Sequence, residues 1–399
     1  MNLFARTDQS LLGQWWWTVD RGMLAAFLIL VVFGIVLVAT ASPPVAERIG
    51  LDGYHFLKRH IVILVPALSM LIGISFLNSR QIRRLATLLF LGSVVAMIAV
   101  LVIGMEIKGA QRWIHVFGFS LQPSEFIKPA FTVLAAWLMA LQKEKEGFPG
   151  NSITAVLYFL TVTLLLLQPD LGMTIVVTII WATQIFLSGF PFRILAVLIL
   201  LGIGGLISAY FTFDHVQSRV DRYLHPEAGD TYQVDKSLEA FRNGGVFGTG
   251  PGQGSVKLGL PDAHADFIFS VAAEEMGLIF VLIILSVYGF ILLRGYNRLM
   301  DSNQMFVVLT VGGLLTMFGL QALVHMGSSL HLLPTKGMTL PFMSYGGSSL
   351  LSMGLSMGIV LGLTRRKSRT GVSKGGLSLA PSKSASTTLS PTLNEKAEP

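Results

Sequence analysis

Residues 24–40 read LAAFLILVVFGIVLVAT, without a single charged side chain. A helix rises about 1.5 Å per residue, so roughly 20 apolar residues cross the hydrocarbon of a bilayer. This run therefore reads as a membrane span. Asp20 and Arg21 stand just before it, and Trp15, Trp16 and Trp17 before them. Tryptophan at the level of the headgroups and arginine at the inner end are what a membrane boundary selects. No small-residue cleavage site follows the run and many similar runs come after it, so it does not read as a removable signal peptide.

Nine more runs of the same kind lie downstream, at 61–76, 85–103, 126–141, 153–167, 171–187, 194–213, 267–293, 305–325 and 348–363. The fourth and fifth of the ten are short, as tilted spans or spans packed inside a bundle would be. Composition agrees: of 399 residues, 52% are hydrophobic and 13% charged, against about 25% charged in soluble domains. The net charge of +7 need not imply nucleic acid, because the basic residues sit mainly at the ends of apolar runs. The absence of cysteine excludes disulfides and thiolate metal sites.

An even number of spans puts both termini on one side. Arg21, Arg80, Arg83, Arg84, Lys143 and Arg294 fall in short segments on that side, which the positive-inside rule makes cytoplasmic. The expected organisation is an all-α polytopic bundle of about ten transmembrane helices. It has a cytoplasmic segment 1–21, a membrane domain 22–366 and a Ser-, Thr-, Lys- and Pro-rich tail 367–399 that should be disordered. A connection of about fifty residues, 214–266, joins spans seven and eight on the outer side. Loops this long in a compact architecture are usually functional. Shorter polar outer segments lie at 55–60, 107–125 and 326–345.

The large loop contains Tyr232-Gln233, Ser237, the stretch GGVFGTG (244–250) and then KLGLPDAHADF (257–267). Gly244, Gly245, Gly248 and Gly250 allow two readings: a turn-rich flexible loop, or backbone amides brought close to a phosphate or sugar. No Lys-Ser/Thr follows at nucleotide-binding spacing. Asp266 lies where the chain re-enters the membrane. A carboxylate there is costly unless paired or hydrated, which makes it a functional candidate; it could equally cap the eighth helix. Glu274 and Glu275, two turns further on, could pair with a cation of a neighbouring helix. Lys128, inside an apolar run, could snorkel to the interface or face an anionic ligand. Gln168-Pro169-Asp170 reads as punctuation between two spans, and His325 as a satisfied interior histidine.

Six strings, taken in order, resemble the SEDS family of peptidoglycan glycosyltransferases. Residues 108–114 (KGAQRWI) resemble its G-A-x-R-W-I, 122–128 (QPSEFIK) its Q-P-[SA]-E-x-x-K, and 168–172 (QPDLG) its Q-P-D-x-G. Residues 244–250 resemble its glycine stretch, 260–269 (LPDAHADFIF) its L-P-E-x-H-T-D-F-I-F, and 340–349 (LPFMSYGGSS) its L-P-x-x-S-Y-G-G-S-S. The resemblance spans roughly 24–366. The form LPTKGMTLP at 333–341, and Lys257-Leu258 before Leu260-Pro261, are similar to the division (FtsW) branch rather than the elongation branch. Asp262 and Ala265 depart from the usual Glu and Thr, and both flank the candidate aspartate without replacing it.

The resemblance implies polymerisation of lipid II at the outer face of the inner membrane, at the division septum, with Asp266 catalytic. It implies a class B penicillin-binding protein (FtsI-like) and other divisome proteins as partners, and no nucleic acid. Arg112, Lys128 and Lys336 are the expected diphosphate contacts, with a divalent cation (Mg or Mn) as candidate cofactor. Gln233, Ser237, Lys257 and His264 are further substrate-contact candidates. Pro261, Glu275, Ser344, Tyr345, Gly346 and Gly347 are motif residues expected to shape the site. A lipid II flippase would use similar cations but predicts charges deep in the spans and often an inverted repeat; a non-enzymatic divisome scaffold would leave Asp266 dispensable.

Overall fold

A computed structural model describes residues 10–107, 110–116, 119–190, 192–212, 217, 221, 232–334 and 337–366. Lys336, the start of the 108–114 string, much of the first half of the large loop and the tail 367–399 lie outside the described residues.

Ten helices occupy the ten apolar runs, preceded by the short α1 (Leu11–Thr18). The first seven crossings are α2 (Arg21–Arg48), α3 (His55–Ser75), α4 (Ser79–Ile103), α5 (Pro123–Glu144), α6 (Gly150–Leu167), α7 (Leu171–Leu187) and α8 (Phe192–Thr212). Within the large loop lies α9 (Tyr232–Gly244); the last three crossings are α10 (Ile268–Met300), α11 (Met305–Ser329) and α12 (Gly347–Leu363). Local chemistry sets the ends. Asp20 caps α2 through the Met23 amide, Asn78 and Gln81 form a reciprocal capping box on α4, and Asp170 caps α7 through the Met173 amide. Pro123 opens α5, where its missing N–H removes no bond.

Of the two short runs, α5 is the interior helix, with 83% of its apolar window buried; α6 is lipid-facing, with 28% buried. A seam of small residues lets α12 approach α3. A β-carbon on Gly354 would collide with the Ala67 carbonyl, and one on Gly358 would lie 2.8 Å from that of Leu71. Lacking a hydrophobic effect between them, membrane helices gain from such close approach. Phe27, Phe318 and Phe342 form an aromatic core between α2, α11 and the segment before α12.

At the end of the bundle that carries Thr18 and Arg366, α1 is fastened down. Trp15 donates to Ser75 Oγ (2.7 Å) and stacks on Phe76, while Arg365 donates to Thr18 Oγ1 and the Arg366 amide to the Thr18 carbonyl. Buried Asp20 accepts from Arg294 (2.6 Å) and Arg298 (2.9 Å). Burial alone would raise its pKa, but the two guanidinium groups and the Met23 amide hold it below the ordinary carboxylate value.

Two features differ from the sequence expectation. Three short strands, β1 (Met105–Ile107), β2 (Ala110–Val116) and β3 (Phe119–Leu121), form an antiparallel sheet in the connection between α4 and α5. And the eighth run is not one continuous helix. Gly277 (φ 77°, ψ −178°) interrupts α10, leaving a buried half-helix 268–276 and a span 278–300 that is about 34 Å long at 1.5 Å per residue.

Candidate active site

The break at Gly277 explains the glycine-rich stretch. Interrupting the helix frees the carbonyls of Glu274 and Glu275 and the amides of Leu278 and Ile279, which would otherwise bond one another. Each finds a partner in the large loop: Thr249 and Gly250 N–H donate to the two carbonyls (2.9 Å each), and Leu278 and Ile279 donate to Gly245 and Val246 (3.0 and 3.3 Å). Unpaired backbone at the edge of a bilayer would cost several kcal/mol per group, so the loop closes the account. The glycines allow this approach. A β-carbon on Gly277 would strike the Gly248 amide, and one on Gly244 or Gly248 would strike the Ala273 or Glu275 carbonyl. These glycines are engaged by the protein's own backbone.

Two carboxylates hold the rest of the loop to the half-helix. Glu274, fully buried, accepts from the amides of Val256 (2.7 Å) and Lys257 (2.9 Å) and from Asn243 Nδ2 (2.9 Å). Glu275 pairs with Lys257, whose Nζ also donates to the Thr40 carbonyl (3.0 Å). Lys257, expected as a substrate contact, is thus buried in an internal ion pair. Ser237 is likewise internal, bonded to Ser270 Oγ and the Ser329 carbonyl (2.6 Å each). Gln233 is exposed on α9.

Asp266 sits at the head of this assembly, partly exposed. The turn before it is closed by Ala265 and Asp266 amides donating to the Asp262 carbonyl (2.9 and 3.0 Å). Asp266 is not the cap residue of α10: Phe267 occupies that position, and its side chain makes no capping hydrogen bond. Gly337 lies beside the carboxylate: a β-carbon there would be 3.3 Å from Asp266 Oδ2.

Behind Asp266, His264 is buried and stacks on Phe56 at 4.0 Å between ring centres, with Tyr345 5.1 Å away. Burial pushes His264 down to about 4, against the opposing pull of the Asp262 charge. At neutral pH it is therefore an uncharged packing group. Its carbonyl accepts the Tyr345 amide (3.0 Å), and Ser344 Oγ accepts the Leu340 amide (2.8 Å). Burial raises the Tyr345 phenol, and hydrogen-bonded Arg59 offsets part of that rise. Gly346 and Gly347 form the entry of α12, and Pro261 precedes the turn that carries Asp266.

Arg112 binds β2 to the Gln168-Pro169-Asp170 turn. Its Nε donates to the Gln168 carbonyl (3.0 Å), its Nη2 to that of Pro169, and Asp170 lies 3.7 Å away. Lys128 is completely buried and pairs with Glu125 at 2.8 Å, so it does not snorkel. Ser352 donates to the Glu125 carbonyl (2.7 Å), fixing this segment to α12. Among the described residues no three His, Asp or Glu side chains stand together as a metal site.

Arg59 and Phe56 are not singled out by their sequence context, and Glu274, expected to pair with a cation, instead accepts two backbone amides and Asn243. The polar outer segment 55–60 pointed to the region, but only tertiary packing puts Arg59 on Tyr345 and Phe56 on His264.

Comparison with known proteins follows the same outline. The FtsW/RodA/SpoVE cell cycle protein family matches residues 20–369. The chain is 46% identical over 365 residues to the probable peptidoglycan glycosyltransferase FtsW of Caulobacter vibrioides, covering 91% of this chain and 94% of that one. It is 35% identical over 359 residues to the protein of that name from Geobacter metallireducens, covering 88% and 96%. A chain in a solved peptidoglycan synthase complex that coordinates polymerization and crosslinking superposes with a TM-score of 0.72 at 29% identity, covering 87% of this chain and 97% of that one. The crystal structure of Thermus thermophilus rod shape determining protein RodA gives 0.65 at 28% identity, covering 88% and 97%. The chain is a multi-pass membrane protein of the FtsW/RodA/SpoVE cell cycle protein family.

Proposed function

We infer that the chain is a peptidoglycan glycosyltransferase that polymerises lipid II into glycan strands during septal wall synthesis. The observation that carries this is the family match over residues 20–369, in a chain whose relatives bear that name. The partly exposed Asp266 carboxylate, in the turn just before a clamped half-helix, supplies a group able to do the chemistry.

The reaction is an inverting glycosyl transfer. A sugar hydroxyl of one lipid-linked disaccharide attacks the anomeric carbon of a strand carried on undecaprenyl diphosphate. The new C–O bond forms as the bond to the diphosphate breaks, and the electron pair leaves with the diphosphate. A sugar hydroxyl is a very weak acid, so its proton passes to Asp266 as the bond forms. The leaving group needs charge neutralisation more than an acid. Arg112, Lys128 and Lys336 are the proposed cations, and exposed Arg59 joins them. Arg112 and Lys128 each already have a carboxylate beside them, Asp170 and Glu125; Arg112 is favoured because it is part-exposed where Lys128 is completely buried, and its planar fork suits phosphate.

The proposed partner is a class B penicillin-binding protein, supported by the similarity to a chain of a synthase complex. The proposed location is the inner membrane at the septum with both termini cytoplasmic, supported by the Lys and Arg distribution. The test is polymer formation from labelled lipid II by the chain with a partner lacking any polymerase of its own. Strands from wild type and none from Asp266→Asn support the reading. No strands from either, with lipid II crossing proteoliposome membranes, would replace it with a flippase.

A further inference from the structure

His325 lies on α11, 1% exposed, and the reaction proposed above makes no use of it. Its Nδ1 is 2.6 Å from the Met338 carbonyl. A carbonyl only accepts, so Nδ1 carries the proton and Nε2 presents a lone pair. That Nε2 is buried and has no hydrogen-bond partner among the described residues. A buried imidazole with one nitrogen unsatisfied is not explained by packing, which an apolar ring would do without the desolvation cost. The paired nitrogen is where a purpose is to be found.

Met338 follows Gly337, on which a β-carbon would lie 3.3 Å from Asp266 Oδ2. The same stretch continues through Leu340, held by Ser344, to Tyr345, whose amide binds the His264 carbonyl two residues before Asp266. On its other side His325 begins a ladder that ends on the half-helix. Ser329 Oγ donates to the His325 carbonyl (3.0 Å), Ser237 Oγ to the Ser329 carbonyl, and Ser237 meets Ser270, one turn beyond Asp266. His325 thus sits at the junction of the two supports of Asp266: the segment in front of it and the helix behind it.

We propose that His325 is a positioning residue for the Asp266 site, its Nδ1–H fixing the backbone of residues 337–339 against the carboxylate. The proposal rests on Asp266 as the base. It makes the hydrogen-bond donor, not the ring, the functional element, and substitutions can separate the two. Asparagine can place an amide N–H where Nδ1 stands. Glutamine reaches towards the Nε2 position and leaves the Met338 carbonyl without its donor. Alanine removes both.

The full-length chain with its partner is tested by two readouts: steady-state polymerisation of labelled lipid II, and hydrogen–deuterium exchange at residues 337–345. His325→Ala and His325→Gln are expected to lower kcat by about 10- to 100-fold, the range for a displaced catalytic geometry. KM stays near wild type and exchange at 337–345 accelerates. His325→Asn restores both readouts. The proposal is overturned if exchange in the alanine and glutamine variants matches wild type. It is overturned equally if asparagine is as impaired as alanine, or if exchange accelerates while turnover is kept. Asp266→Asn is run alongside. Wild-type turnover there would remove the base assignment by itself, and the exchange data would still decide whether His325 holds the segment.

Discussion

Asp266 is partly exposed, while the acidic residues that follow it, Glu274 and Glu275, are sealed. This division of labour predicts different phenotypes. Asp266→Asn keeps the shape of the side chain and should lower polymerisation by about 10²- to 10⁴-fold, the usual worth of a general base, with an unchanged melting temperature. Glu275→Gln leaves Lys257 buried without its counter-charge and should destabilise the protein by about 3–5 kcal/mol, read as a fall in melting temperature in detergent. The double substitution Lys257→Met with Glu275→Leu should recover much of that loss. His264 adds a pH signature. It titrates at about 4 in the fold against 6.5 when exposed. Between those values the unfolded chain binds more protons, so its contribution is complete above about pH 6.5 and lost as pH falls towards 4. The loss amounts to roughly 3 kcal/mol. Melting temperatures across pH 4–8 should show a shallower acid limb in His264→Gln than in wild type. None of these pairings could be read from the sequence. Spacing put Glu275 two turns into a span, but nothing local says that Lys257, across a glycine-rich loop, is its counter-ion.

The apolar runs announced the ten crossings because hydropathy acts residue by residue and needs no tertiary information. The interruption at Gly277 escaped notice for the converse reason. Met276-Gly277-Leu278 reads as tolerable helix, and only the loop that arrives to satisfy the freed amides makes breaking cheaper than continuing. The stretch at 244–250 misled in the same way: glycine signals close backbone approach, yet not to what. Here the answer is a neighbouring helix instead of a phosphate. Gly277→Ala should therefore be severe, since it combines a positive-φ extended backbone open essentially only to glycine, costing about 1–3 kcal/mol for an L-residue, with a collision at Gly248. Proteolysis within 244–259 should become faster in that variant; an unchanged digestion pattern would argue that the loop is held by other means.

For the molecule as a whole, the proposed orientation puts Phe247 and Leu12 on opposite sides of the bilayer. Both are exposed, at 82% and 55%. Because the chain has no cysteine, single replacements Phe247→Cys and Leu12→Cys can be labelled without background. In intact spheroplasts a membrane-impermeant maleimide should modify the first and spare the second. Labelling of Leu12→Cys alone would invert the assignment. The bond between the Arg366 amide and the Thr18 carbonyl (3.0 Å) has one more consequence. It brings the beginning and end of the bundle to the same point, so the ten crossings form a closed circuit cut at one place. A circular permutant, with residues near 10 and 366 bridged by a short linker and new ends opened at 145–149 between α5 and α6, would start on the same side of the membrane. It should insert and fold, since the cut is moved without reversing the direction of any crossing.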